Sequence, residues 1–384
     1  MRKETAKRID TLPHLEENLF TNTPFENLIY EIQDITQLSR SFIQLNLLVQ
    51  ISSKYCGYFH YNPKGINQES IGLSLVNIGY IRKVQLQDFL TILGLVLPQP
   101  SPSPAFSKEG IMKFIAQNKN HLICDSNICR MLTGDMVKTM NTILANRTVE
   151  FRNKNIYFPQ LCIQAFETLA GVTTMNKAQY DNILACYSNL MFYFPQESVP
   201  MQLFTQSNLS PWDGIFMAHI KQFTVNKNNK INFSSKAMEI LQAFHEETAP
   251  KMKKNPLFQQ ETKYLLKFAS IFAILHNKRK EHCSVRQQDA EKAIKVMNIL
   301  AQHSTYLYEE IKTQASSSYE HIILNWIREK KEGTFTASSC YRSLKGSCPV
   351  RDLLDTALTT LCRNGYISKV QSNTKTQKYI IKLA

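Results

Sequence analysis

One stretch near the end of the chain, from Val350 to Gly365, constrains the fold more than any other. Its apolar residues recur at the spacing of a single helix face, and they are Val350, Leu353, Leu354, Ala357, Leu358 and Leu361. The glycine that follows is suited to the left-handed residue that ends many helices. Two segments of alternating character, YISKV and KYIIK, come next and predict a hairpin joined by QSNTKTQ. The stretch therefore predicts a helix followed by a two-stranded wing.

The residues before this stretch complete a small domain over 319–384. A helical segment, YEHIILNWIREKK, ends at Gly333, and a second, SSCYRSLKG, ends at Gly346. Short extended residues, FTASS, separate the two. The order of helix, short strand, helix, helix and hairpin predicts a winged-helix domain.

Charge indicates what this domain contacts. Residues 319–384 hold eleven Lys and Arg against five Asp and Glu, a balance of +6. In such a domain the third helix normally enters the major groove and the wing lies on the backbone. The expected phosphate contacts are Arg342, Lys345, Arg351, Lys369, Lys375 and Lys378. Asp352 and Asp355 share the exposed helix face with Arg351, which argues against base reading and leaves protein contact as an alternative use.

Composition bounds the rest. The 384 residues are 43% hydrophobic and 20% charged, which is typical of two or three globular domains. Neither a membrane-spanning run nor a signal-type start occurs, so we expect a cytoplasmic protein with no membrane role. Nine scattered cysteines without a C-x-x-C pair predict free thiols and no metal site. The net charge of +14 favours a nucleic-acid partner.

Short apolar runs alternate with helical segments in the middle of the chain. The strand candidates are IGLSLVNIGY, NHLICDSN, IYFPQLCIQAF and NLMFYFP. This alternation predicts an α/β domain with a largely parallel sheet. We predict an N-terminal helical region over 1–60, an α/β domain over 61–232, an all-α region over 233–312, and the winged helix.

The helical region and the tail carry a family resemblance. The strings are FSSKAMEILQAFHEE, KYLLKFASIFAILH, VRQQDAEKAIKVMNILAQHSTYLY and LLDTALTTLCRNGYI. They resemble the lid and tail of the helicase-like ATPase domains in primase–helicases of phages, plasmids and integrative elements. Those proteins are relatives of the AAA+ and MCM-type helicases. The resemblance implies a fold class of α/β with an AAA+-like, degenerate P-loop core, an all-α lid and a C-terminal winged helix.

The catalytic motifs of that family are absent or altered. A phosphate-binding loop needs G-x-x-x-x-G-K-[ST], and no such string occurs in the chain. At the place that the resemblance implies, NIGYIRKVQL offers Gly79, Arg82 and Lys83, but Val84 stands where the hydroxyl belongs. In the string that resembles a Walker B strand, HLICDSN, Asp125 is present and Ser126 replaces the glutamate.

Two arginine positions of the family are also changed. Asn189 stands before the fourth strand, and Lys267 corresponds to the later sensor-type arginine. Gly79, Arg82, Lys83, Asp125 and Lys267 are therefore expected to form a vestigial nucleotide site at most. No catalytic residue and no cofactor are predicted.

These features predict a catalytically inactive helicase-like protein that binds DNA mainly by its backbone, or an accessory subunit of a replication or mobile-element complex. The first alternative is an active, divergent NTP-dependent helicase that uses Lys83 and Asp125 with ATP and Mg²⁺. The second is a regulatory protein whose winged helix binds another protein.

Overall fold

The computed structural model describes residues 9–56, 59–61, 69–79, 81–96, 109–111, 113, 122–125, 135–146, 148–151, 154–157, 162–173, 180–196, 229–252, 254–277, 283–329, 333–370 and 377–382. It divides into two compact units. The first comprises Met1–Gly171 and Gln179–Thr305, and the second comprises Val172–Ala178 and Tyr306–Ala384. The sequence pattern alone did not predict that a short internal segment belongs to the C-terminal unit.

The helices of the described residues are α1 Glu26–Thr36, α2 Arg40–Tyr55, α3 Lys83–Val96, α4 Asp135–Asn146, α5 Leu169–Thr173, α6 Tyr180–Tyr187, α7 Ser235–Met252, α8 Glu261–His276, α9 Gln287–Glu329, α10 Ala337–Leu344 and α11 Arg351–Arg363. The strands are β1 Phe59–Tyr61, β2 Glu69–Ser70, β3 Ser74–Ile78, β4 Leu122–Asp125, β5 Thr148–Phe151, β6 Lys154–Tyr157, β7 Cys162–Glu167, β8 Met191–Tyr193, β9 Asn229–Phe233, β10 Cys283–Val285, β11 Thr334–Thr336, β12 Ile367–Val370 and β13 Lys378–Ile381.

The expected parallel sheet is present in the first unit. Its strand order is β4-β7-β3-β8, and every neighbouring pair is parallel. All residues of β3, β7 and β8 are buried, as expected for strands covered on both faces. The sequence prediction of a continuous third strand needs correction, because β6 ends at Tyr157 and pairs with β5, whereas β7 begins at Cys162. Pro159 lies between them in the sequence and lacks a ladder donor.

A second sheet in the same unit was not predicted. Its order is β10-β9-β1-β2, and it joins segments from 59–70, 229–233 and 283–285. Strands β9 and β10 are parallel to each other, as are β9 and β1. Apart from β9, these strands have only two or three residues, which is too short to show a period of two in the sequence.

Helix α2 packs on the parallel sheet and is buried at every residue from Ser41 to Tyr55. Polar residues of this helix are buried together with its apolar residues. Asn46 Nδ2 donates to Asn77 Oδ1 at 3.1 Å, and Asn77 Nδ2 returns a bond to Asn46 Oδ1 at 2.9 Å. Gln164 Nε2 also donates to Asn46 Oδ1, at 2.8 Å. These amides satisfy one another at the helix–sheet interface, as buried polar groups must.

The all-α region expected over 233–312 consists of α7, α8 and the first part of α9. Helix α8 buries twelve of its sixteen residues. Strand β10, which the prediction did not include, lies between α8 and α9.

The second unit contains the C-terminal part of α9, then β11, α10, α11 and the β12–β13 hairpin. Its sheet has the order β11-β13-β12, and both pairings are antiparallel. Helix α11 buries Leu353, Leu354, Ala357, Leu358 and Leu361, the face that the spacing predicted. Gly365 follows with φ 79°, a left-handed value that glycine adopts readily.

None of the helices in the described part of the chain is both long and apolar enough to cross a membrane. None of the eight cysteines within the described ranges forms a disulfide.

Candidate functional site

The carboxyl edge of the parallel sheet is the place where its topology favours a ligand. The chain leaves β3 towards β4 on one side and later leaves β7 for β8 on the other. Neighbouring strands β3 and β7 therefore lead in opposite directions, which makes this edge a topological switch point. Open α/β sheets bind their ligands in the crevice at such a point.

The connection from β3 to α3 lies at this edge. Gly79 follows the strand with φ 153°, and its N–H donates to the Glu167 carbonyl at 2.9 Å. Helix α3 begins at Lys83, and the Arg82 carbonyl accepts a hydrogen bond from Leu86 N at 3.0 Å. Only residues 79–82 separate strand from helix, whereas a phosphate-binding loop places six residues before its lysine. The connection is too short to wrap a phosphate in that way.

The side chains of this connection are consistent with a short turn that does not wrap a phosphate. Ile81 is partly buried and packs against the large apolar core of the first unit. Arg82 and Lys83 are exposed. The structure thus brings Gly79, Arg82 and Lys83 together at the sheet edge, as two exposed cations beside a glycine.

Two acidic residues end neighbouring strands at the same edge. Asp125 is the last residue of β4, and its backbone is level with Ala165 of β7. Glu167 is the last residue of β7 and is 8% exposed, directly beside Gly79. Sequence reasoning missed Glu167, although its place at the end of an apolar run was a readable signal.

Lys267 lies at the other end of the sheet. Its side chain is fully buried, and Nζ donates to the Gly72 carbonyl at 2.6 Å, before β3 begins. A hydrogen bond from Cys56 and the nearby Lys267 ammonium lower the pKa of the Cys162 thiol, at the first residue of β7. The length of β3, about 16 Å, separates Lys267 from Gly79. The expected grouping of Lys267 with the other four residues therefore needs correction.

A cavity of about 490 Å³ opens beside the start of α2. Residues 12–16 and 37–41 line it, with Gln196 from the segment after β8. Arg40 Nη1 donates to the Glu16 carbonyl at 2.8 Å, and Arg40 Nε is buried without a hydrogen-bond partner among the described residues. The carboxylate residues Asp10 and Glu16 also line the cavity, so both signs of charge meet there.

His14 joins this cavity to the sheet. Its Nδ1 lies 2.9 Å from the Tyr193 hydroxyl, at the end of β8. Burial lowers the pKa of His14, so the ring is neutral at neutral pH. A neutral ring adds no charge to attract an anion.

In the second unit, Arg342, Lys345, Lys369 and Lys378 are all exposed. Arg351 is not free in the same way. Its Nε lies 3.1 Å from Asp355 Oδ2, and its guanidinium carbon lies 5.2 Å from the centroid of the Tyr341 ring. Lys375 falls outside the described residues. The first four residues therefore present positive charge at the surface, whereas Arg351 forms its contacts within its own unit.

No protein-family model matches the sequence, and no curated protein matches it. Among solved structures, the chain is similar to a full-length MCM homolog from Methanopyrus kandleri, with a TM-score of 0.44 and 11% sequence identity. The match covers 79% of this chain and 61% of that one, so this chain spans less than two thirds of the MCM homolog. The similarity is distant.

Proposed function

We propose that this chain is a helicase-like protein of degenerate AAA+ type that does not hydrolyse ATP. In this proposal its C-terminal unit is a winged helix that binds DNA, mainly by the backbone, alone or as part of a replication or mobile-element complex. The observation that carries the first half is the connection of residues 79–82 between β3 and α3. The exposed cations of the C-terminal unit support the second half.

The residues at the sheet edge do not fit a nucleotide phosphate with Mg²⁺. A phosphate cradle needs several backbone N–H groups that point at one anion, and glycines that let the backbone approach it. Here the N–H of Gly79, the single glycine of the connection, is already bonded to the Glu167 carbonyl. Val84 stands where a magnesium-binding hydroxyl is needed and is 59% exposed. No step of catalysis is therefore assigned to this edge.

Steady-state hydrolysis tests this half of the proposal. Purified protein with ATP and Mg²⁺, with and without DNA, is expected to turn over far more slowly than about 1 s⁻¹, the low end of typical enzymes. Lys83→Ala and Asp125→Asn are expected to leave that low rate of ATP hydrolysis unchanged. Turnover at or above about 1 s⁻¹ that disappears in Lys83→Ala would instead establish the active-helicase alternative.

The proposal that the C-terminal unit binds DNA rests on which of its basic side chains are exposed. Arg351 is held by Asp355 and lies over Tyr341, and Asp352 is exposed on the same helix. The first turns of α11 therefore have little positive charge available for base edges, and the other arginine of the helix, Arg363, is its last residue. Arg342 and Lys345 lie on and just after α10 and are exposed, as are Lys369 and Lys378 of the hairpin. This distribution of positive charge favours binding of the DNA backbone by these four residues.

The salt dependence of duplex binding tests this half. Each phosphate contact contributes about −0.9 to the slope of log K against log salt concentration. The double variant Arg342→Gln/Lys345→Gln is expected to make the slope about 1.8 less negative and to weaken binding at low salt. Lys236→Gln, which removes an exposed lysine of the first unit, is the matched control and is expected to change neither. Absence of duplex binding would favour the protein-interaction alternative.

A further inference from the structure

The outward face of the β11-β13-β12 sheet combines an aromatic ring, an aliphatic side chain and two lysines. In an antiparallel pair, directly opposite residues share one face, and faces alternate along each strand. Ser368 is opposite Ile380, and Val370 is opposite Lys378. Lys382 N donates to the Tyr366 carbonyl at 3.0 Å, which places these two residues one step further along the same face.

The opposite face of this sheet is largely buried, although Lys369, which lies opposite Tyr379, is exposed. Ile367, Tyr379 and Phe335 are between 1% and 5% exposed, and the rings of Phe335 and Tyr379 stack at 5.3 Å. The alternation therefore directs the other set of residues outward. Tyr366 is 42% exposed and Ile380 is 41% exposed, and they are two of the few large hydrophobic residues exposed in the described chain.

The charges on the outward face have one sign. Lys378, the first residue of β13, and Lys382, the residue after that strand, are exposed, and the other outward positions are Tyr366 just before β12, Ser368 and Val370 of β12, and Ile380 of β13. No carboxylate occurs among these positions. The two lysines lie four residues apart, about 13 Å along the strand, with Ile380 between them. A flat apolar strip bordered by cations is complementary to a chain of phosphates that carries bases.

We propose that this sheet face binds single-stranded nucleic acid, with a base stacked on Tyr366 and the backbone held by Lys378 and Lys382. The proposal rests on the proposed function, since it specifies how the C-terminal unit meets nucleic acid. In a duplex the base faces are already stacked within the helix. An aromatic ring on a sheet can stack only on a base of an unpaired strand, which is how several single-strand-binding sheets work.

A protein partner fits this face less well. Stable protein interfaces bury about 1,200–2,000 Å² and centre on packed apolar residues with few charges. Here the apolar part consists of Tyr366 and Ile380, with a lysine beside each. The single sign of charge and the small apolar area therefore favour the nucleic-acid strand.

Fluorescence anisotropy on the full chain tests the proposal, with labelled oligo(dT) as the single strand and a labelled duplex of equal length. Stacking on one ring contributes about 1–3 kcal/mol, so Tyr366→Ala is expected to weaken oligo(dT) binding at least fivefold and to leave duplex binding within about twofold. Tyr366→Phe keeps the ring and is expected to bind like the original chain. Tyr30→Ala removes a tyrosine of similar exposure, 41%, in the first unit and serves as the matched control.

The salt dependence of oligo(dT) binding tests the two lysines separately from Tyr366. Lys378→Gln and Lys382→Gln are each expected to make the salt slope of oligo(dT) binding about 0.7 less negative. Unchanged oligo(dT) affinity in Tyr366→Ala, or equal losses in Tyr366→Ala and Tyr366→Phe, overturns the proposal. If the single-strand proposal is overturned in this way but duplex binding persists, the proposed function stands by itself. If neither the duplex nor the single strand binds, both fail.

Discussion

At the scale of single residues, His303 is a fully buried histidine with a hydrogen-bond partner at each ring nitrogen. Its Nδ1 accepts a hydrogen bond from Phe194 N at 3.0 Å, and its Nε2 donates to the Pro13 carbonyl at 2.9 Å. These two partners fix one neutral tautomer, because Nδ1 must carry a lone pair. Burial lowers the pKa of His303 to about 4. The ring thus ties the N-terminal segment to the end of β8 only while it is uncharged.

The stability of the first unit is therefore expected to depend on pH between about 6.5 and 4. In that window the unfolded chain binds a proton at His303 and the folded chain does not, so the free energy of unfolding falls as the pH falls. The loss approaches about 3 kcal/mol at the lower end. Urea unfolding at pH 7 and pH 4.5 measures it. His303→Gln is expected to flatten the dependence, and His321→Gln, which replaces an exposed histidine, is expected to retain it. An equal pH dependence of stability in both variants would contradict the assignment of this dependence to His303.

At the scale of elements, α2 shows what a sequence pattern reveals and what it omits. Apolar runs indicated β3, β4, β7 and β8, because strands buried on both faces need continuous apolar residues. The same reasoning says nothing of the polar residues of α2. It could not indicate that Asn46 and Gln164 meet, since partners 118 residues apart leave no local pattern. The position of Lys267, the lysine expected to replace a sensor arginine, could not be predicted for the same reason. It is buried at the amino edge of the sheet, and its partner, Gly72, is 195 residues away in the sequence.

The Asn46 amide is expected to stabilise the contact between α2 and the sheet. Asn46→Leu has a similar volume but leaves the buried amides of Asn77 and Gln164 with fewer partners. Each unsatisfied group costs about 1–3 kcal/mol, so the free energy of unfolding is expected to fall by about 3 kcal/mol. Denaturant unfolding measures the change, with Asn298→Leu at an exposed position of α9 as the control. A loss below about 1 kcal/mol would show that the amide network contributes little.

At the scale of the whole molecule, the two units have separate cores. The largest apolar cluster draws its residues from the first unit only, between Leu15 and Leu300. The second unit buries the apolar face of α11 together with Phe335 and Tyr379. The proposed function divides in the same way, since the sheet edge of the first unit lacks a phosphate-binding loop and the second unit carries the cations proposed to contact DNA.

Separate cores predict two transitions in calorimetric unfolding, because multi-domain chains depart from two-state behaviour. Leu358 is fully buried in the second unit, and truncating such a leucine to alanine costs about 2–5 kcal/mol. Leu358→Ala is expected to lower the midpoint of one transition by about 10 °C or more, since small domains shift by about 4–8 °C per kcal/mol. Leu48→Ala, at an equally buried position of the first unit, is expected to lower only the other transition. A single transition that both variants displace would show that the two cores unfold as one.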